Sequence, residues 1–130
     1  MLERLHKNTL IMVCLITLLL PLIWVKGQTP IDQKDSLQYY YRQSTFFRHQ
    51  NKIAPAMEAL EKAARLAEKN EDLKALLDTY HKFALLYLEI DDRETTLFYW
   101  DRAGVLLKDI EYPYGEAVHQ FINASLLYRA

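Results

Sequence analysis

Hydrophobic positions divide this chain into two unlike stretches. Residues 10–25 run without a charge, interrupted by Pro21. From Leu37 onward apolar residues return every three or four positions, the spacing that places them on one face of a helix. A first helix is predicted from a cap at Asp35 or Ser36 to about Gln50, with Leu37, Tyr40, Tyr41, Ser44 and Phe47 on one side. A second spans about residues 53–69, with Pro55 in its first turn, where a missing N–H costs little. Its inner face is small: Ala56, Ala59, Leu60, Ala63, Ala64 and Ala67. A third, about residues 72–88, carries the stripe Leu73, Leu76, Leu77, Tyr80, Phe83, Ala84 and Tyr87. A fourth runs to about Asp109, capped by Asp91 paired with Glu94, and buries Thr96, Leu97, Trp100, Ala103, Gly104 and Leu107. Pro113 and Gly115 make the strongest internal break. A fifth helix, about residues 116–128, sets Phe121, Ala124, Ser125 and Tyr128 on one face. No segment alternates with period two, so the predicted class is all-α.

The same pattern repeats. Tyr40, Ser44, Phe47, Ala56, Leu60 and Ala63 recur 40 positions later as Tyr80, Ala84, Tyr87, Thr96, Trp100 and Ala103. A fixed period of this length marks stacked helix pairs, each burying its apolar face against the next. The architecture expected is a short α-solenoid of about five helices in antiparallel pairs, preceded by a hydrophobic N-terminal signal or anchor helix. Its repeats fall at about 37–70 and 72–110, with a partial one at 116–130.

Residues 1–27 read as an export signal. Arg4, His6 and Lys7 give a basic start, the apolar run follows, and Val25 and Gly27 are small residues placed for a cut before Gln28. The run sits at the short edge of a membrane span, which takes about 20 apolar residues. Lys26 beside the cut keeps an uncleaved inner-membrane anchor open as the alternative. Cys14, the chain's single cysteine, lies inside the run and is read as a small hydrophobe. Residues 28–35, containing Thr29-Pro30, read as an extended linker.

Composition narrows the function classes. Of 16 Lys plus Arg and 17 Asp plus Glu, three and one respectively precede residue 28, leaving a mildly acidic, interspersed surface. Nucleic acid is not expected as a partner, for want of a basic patch. After residue 27 there is no cysteine, which removes disulfides and thiolate metal sites. His49, His81 and His119 have no second His, Asp or Glu four residues on in a recognised ligand arrangement, so no metal is expected. Ser36, Ser44 and Ser125 read as cap and packing residues rather than nucleophiles. The three glycines, Gly27, Gly104 and Gly115, are isolated, so no phosphate-cradling loop is present. The chain is expected to be no enzyme and to hold no cofactor.

Residues 80–103 resemble a tetratricopeptide repeat, a helix–turn–helix unit of about 34 residues. Tyr80, Phe83, Ala84 and Tyr87 match its first helix, and Thr96, Trp100 and Ala103 its second. The unit at Tyr40 to Ala63 matches more loosely, with Gln43 where Leu is usual, and the extra length of the repeat is expected between Leu66 and Tyr80. Export followed by such repeats resembles the N-terminal region of bacterial envelope regulators, which implies a periplasmic or extracytoplasmic module of signal transduction, truncated relative to a longer protein. The resemblance implies protein binding through a groove of first-helix positions: Gln38, Tyr41, Thr45 and Arg48, then Asp78, His81, Leu85 and Glu89, then His119, Ile122 and Arg129. The repeat-packing set it implies is Tyr40, Phe47, Ala63, Tyr80, Ala84, Tyr87, Trp100 and Ala103. The Lys/Asn set that clamps a C-terminal carboxylate in some relatives is absent, with Tyr41, Thr45, His81 and Leu85 in those places. A protein or peptide partner is therefore expected, with the membrane touched only through the N-terminal segment. The alternative is a structural role, in which the open last helix docks onto a second copy or another envelope protein.

Overall fold

A computed structural model describes residues 36–129, and the signal or anchor segment and linker lie outside the described residues. Five helices follow one another, with no strand among the described residues: α1 (Leu37–His49), α2 (Ile53–Lys69), α3 (Leu73–Glu89), α4 (Arg93–Leu107) and α5 (Pro113–Tyr128). The last four begin 20 residues apart, so the 40-residue period is two equal steps. The extra length is thus not confined to residues 66–80 but spread over every helix and turn.

Three of the four turns share one construction. Helices α1, α2 and α3 end on a left-handed residue: Asn51 (φ 56°), Glu71 (φ 54°) and Asp91 (φ 61°). In each, the next N–H reaches back five residues: Lys52 to Phe47, Asp72 to Ala67, Asp92 to Tyr87, at 2.9–3.0 Å. That is the Schellman closure, which satisfies carbonyls left over at a helix end. The residue making this bond is also the N-cap of the following helix. Asp72 accepts from the Ala75 N–H and Asp92 from the Thr95 N–H, each at 3.0 Å. The fourth helix is therefore capped by Asp92 with Thr95, and not by Asp91 with Glu94, because Asp91 is consumed by the left-handed turn. Helix α5 starts at Pro113, earlier than the sequence suggests, since proline at the first helical position needs no N–H partner.

Packing runs down the chain: α1 on α2, α2 on α3, α3 on α4, and α5 against both α3 and α4. Helix α3 is therefore central and is buried nearly all round, through Ala75, Leu77, Thr79, His81, Phe83, Ala84, Leu86 and Leu88. The one-sided stripe expected for it is incomplete for that reason, and Leu73 at its head is exposed. Ala56, Ala59, Ala63 and Ala67 of α2 are buried and let α1 and α3 approach closely. Tyr99 of α4 stacks on Phe83 and Tyr87, with centroids 4.5 and 5.7 Å away and planes 11° apart. Each large apolar side chain hidden this way contributes about 1.5–3 kcal/mol. Of the packing set, Ala63, Ala84 and Ala103 are fully buried, while Tyr40, Phe47, Tyr80, Tyr87 and Trp100 are partly so.

Helix α5 departs from expectation in its facing. Gly115, Ile122 and Leu126 are its buried residues, whereas Phe121 and Tyr128 are 62% and 95% exposed. Gly115 decides this: a Cβ there would lie 2.6 Å from the Tyr112 ring and 2.9 Å from Leu77. Its absence lets α5 settle against α3 along the Gly115–Ile122–Leu126 line and turns Phe121 outward.

Candidate functional site

Three hollows lie along the faces of α1, α3 and α5. The first, about 440 Å³, is lined by Gln38, Tyr41, Arg42, Thr45, Phe46 and His49 of α1 and Lys82 of α3. The second, about 220 Å³, is lined by Gln38, Tyr41, Asp78, His81, Lys82 and Leu85, with Tyr114 and Val118 of α5. The third, about 550 Å³, lies between Leu85, Leu88 and Glu89 of α3 and Phe121, Ala124, Ser125, Tyr128 and Arg129. Gln38, Tyr41 and Lys82 border the first two, and Leu85 borders the last two. The hollows therefore join into one groove across three helices.

Its walls are fixed by hydrogen bonds between the helices. The Tyr41 hydroxyl donates to the Ala75 carbonyl at 3.0 Å and lies 2.9 Å from Thr79 Oγ1, which itself donates to Ala75 at 2.7 Å. Burial raises the Tyr41 phenol above its ordinary value, with the Thr79 hydroxyl beside it opposing. Lys82 Nζ stands 4.8 Å from the Tyr41 ring centroid. The Tyr112 hydroxyl donates to Asp78 Oδ2 at 3.1 Å. Burial pushes the Asp78 carboxyl up, with that bond and the Lys82 charge pulling it back. Arg48 and Glu89 pair across α1 and α3 at 3.0 Å. Arg129 donates to the Leu88 carbonyl at 2.6 Å, pinning the end of α5 to α3.

The expected groove residues separate into three groups. Tyr41, Asp78, His81 and Leu85 meet at the second hollow, while Leu85, Glu89 and Arg129 meet at the third. Thr45 borders the first, and Arg48 stands beside Glu89. Ile122 is wholly buried, and His81 is 2% exposed, so neither presents an open side chain. His119 points away from the groove. Its ring stacks on Trp100 at 4.4 Å and 9°, and the Trp100 indole N–H donates to the His119 carbonyl at 3.1 Å. Gly104 makes room for it, since a Cβ there would sit 3.2 Å from the imidazole.

Between these lies a histidine pair, His81 Nε2 and His119 Nδ1, 3.3 Å apart. His81 Nδ1 is buried without a partner. Buried acceptors are left unmatched more readily than buried N–H groups, so the proton belongs on His81 Nε2, donating to His119. Burial, then the neighbouring His119, lowers the His81 imidazole to about 4. Burial lowers His119 too, with Asp101 opposing. The pair is a neutral packing element at the junction of α3, α4 and α5. No group of three or more His, Cys, Asp or Glu side chains converges on a metal-sized space among the described residues.

Groove residues missed from sequence are Arg42, Phe46, Lys82, Tyr114 and Val118, together with Leu88, Phe121, Ala124, Ser125 and Tyr128 around the third hollow. A signal for two of them existed: Arg42 and Lys82 are 40 positions apart, so they hold equivalent places in successive pairs. No family model, curated protein or solved structure matches this chain.

Proposed function

We propose that this chain is a non-catalytic binding module of tetratricopeptide-like helix pairs that holds a protein or peptide segment along the α1–α3–α5 face. One observation carries the reading: three hollows joined by shared residues make a groove bordered by successive first helices. Its lining mixes aromatic, aliphatic and hydrogen-bonding side chains on rigid helices, as a surface for an extended or helical segment requires. The apolar residues 10–25 support delivery across or onto a membrane, with the module on the outer side. No described helix is long and apolar enough to cross a membrane.

A photo-crosslinking residue placed at Thr45 or Phe121, both exposed groove positions, should trap a partner in the native host. The same residue at Glu68, exposed on α2 away from the groove, should not. Equal trapping at all three sites, or at none, refutes the groove. Intact mass from the host locates the start of the mature chain.

A second reading has its own support. Leu127 of α5 stands 68% exposed and outside the groove lining. An exposed apolar side chain there fits association with a second copy or another envelope protein. Sedimentation of the full chain in detergent tests it, and a monomer at all concentrations removes it.

A further inference from the structure

The groove is chemically graded from one end to the other. At the α1 end it is cationic. Helix α1 carries Arg42, Arg48 and His49 and no carboxylate at all. Arg48 is engaged by Glu89 across the groove. Arg42 and Lys82 are both exposed on the lip of the first hollow, and neither has a carboxylate within ion-pair distance among the described residues. Lys82 rests on the Tyr41 ring, and Asp78, which accepts from the Tyr112 hydroxyl and feels the Lys82 charge, lies beyond ion-pair distance of it. Gln38 and Thr45 add an amide and a hydroxyl donor beside them. Two of the three cations of α2 contrast with these: Lys62 is 2.7 Å from Glu58 and Arg65 is 3.7 Å from Glu61, each on its own helix. The groove's α1 end therefore carries two cations, Arg42 and Lys82, outside any ion pair.

The far end is apolar. Leu85, Leu88, Phe121, Ala124 and Tyr128 surround a hollow of about 550 Å³. Of the two charged residues there, Glu89 is paired with Arg48, and Arg129, still cationic, donates to the Leu88 carbonyl. Space of that size accepts one or two bulky side chains, and burying each is worth more than any exposed ion pair.

We infer that the groove's occupant is an acidic-to-apolar peptide segment, with carboxylate side chains between Arg42 and Lys82 and bulky apolar side chains in the Leu85–Phe121–Tyr128 hollow. The inference rests on the groove reading and specifies its ligand. Affinity comes mainly from the apolar end, while the cationic end sets orientation and speeds encounter. A flat anionic surface is a poorer fit, because the apolar residues are recessed between two helices and Leu88 is only 8% exposed. Two free cations are also too few to hold a nucleic-acid backbone.

The test is selection from a random-peptide display library on the full chain in detergent, followed by binding of a selected peptide to variants. Enriched peptides should combine Asp or Glu with Leu, Ile, Phe or Trp. Arg42→Glu with Lys82→Glu should weaken the selected peptide about tenfold and flatten its salt dependence. Phe121→Asp should weaken it independently. All three residues are exposed, and unchanged thermal midpoints verify that the variants fold. Enrichment of basic or uncharged peptides, or binding indifferent to the double charge reversal, overturns the proposed ligand chemistry while leaving the groove in place. No enrichment, or binding indifferent to both variants, overturns the groove itself. Charge-dependent binding of dihexanoyl-phosphatidylglycerol in the absence of any enriched peptide assigns the cationic end to lipid and also overturns the inference.

Discussion

Lowering the pH should loosen this domain at one identifiable place, the His81–His119 contact. His81 is 2% exposed, and burial with the adjacent His119 holds its imidazole near 4 instead of 6.5. The folded state therefore disfavours protonation, whereas the unfolded chain accepts a proton at an ordinary value. Above about pH 6.5 His81 is neutral in both states and contributes no pH dependence. Between 6.5 and about 4 the unfolded state binds more protons, so stability falls as pH falls, by about 1.4 kcal/mol per unit. Below about 4 both states are charged and the loss levels off. At pH 5 the loss amounts to about 2 kcal/mol, a large share of what a domain this small commands.

His81→Leu isolates the effect. It keeps an apolar side chain in the site and removes the titration, while leaving His119 without its partner, so the stability at pH 7 shifts by an offset of up to about 1–2 kcal/mol. The slope is the informative quantity. Urea unfolding of both proteins from pH 7.5 to 4 should give wild-type stability that declines faster than the variant's, the gap widening by about 2 kcal/mol between pH 7 and 5. Carboxylates such as Asp92, whose pKa is lowered by its bonds from Thr95, lose their contribution at lower pH and do so equally in both proteins. Parallel curves across this window would show that His81 is not held neutral by the fold.

Two further outcomes concern the backbone. Glu71 adopts φ 54° without being glycine, so Glu71→Gly should raise stability by about 1 kcal/mol, and Asn51→Gly by less, because asparagine tolerates that conformation better; thermal melts check both, and a lower midpoint for Glu71→Gly refutes the turn geometry. Gly115→Ala should cost about 1–3 kcal/mol, since its Cβ would be driven 2.6 Å from a Tyr112 ring already tied to Asp78, and an unchanged melt would mean that α5 does not seat closely on α3.

The helices were legible because their signals are local. Period, caps and the alanine face of α2 all lie within a few residues of one another in the sequence, and five helices emerge within a few residues of where the pattern puts them. What escaped was set by tertiary placement. A stripe identifies one face of α3, yet α3 is covered on several sides because it stands between α2, α4 and α5. His81 looks like a surface groove residue on that stripe's far side and is buried for the same reason. The facing of α5 turned on one missing Cβ at Gly115, which reads in sequence only as a break. Arg42 and Lys82 were visible as equivalent positions, but nothing local distinguishes an unpaired surface cation from the paired ones on α2.

The repeat also discriminates between the two readings of α5. On α3, the residues that receive α4 include Tyr80, Phe83 and Tyr87, and 40 positions later α5 carries Gln120, Asn123 and Leu127. The face of α5 that would accept a following helix is thus largely polar, with Leu127 its one large apolar member, 68% exposed. The apolar residues that line the groove, Phe121 and Tyr128, belong to the other side, against Leu85 and Leu88. If the groove is the working surface, Phe121→Gln should abolish capture of a selected peptide, while Leu127→Gln leaves both capture and oligomeric size alone. If end-to-end docking is the working contact, Leu127→Gln should shift an oligomer to monomer and Phe121→Gln should leave size unchanged. A chain in which only Leu127 matters, read by sedimentation and peptide binding on the same preparations, would reverse the preference argued here, because a largely polar face would then be holding the assembly through a single leucine.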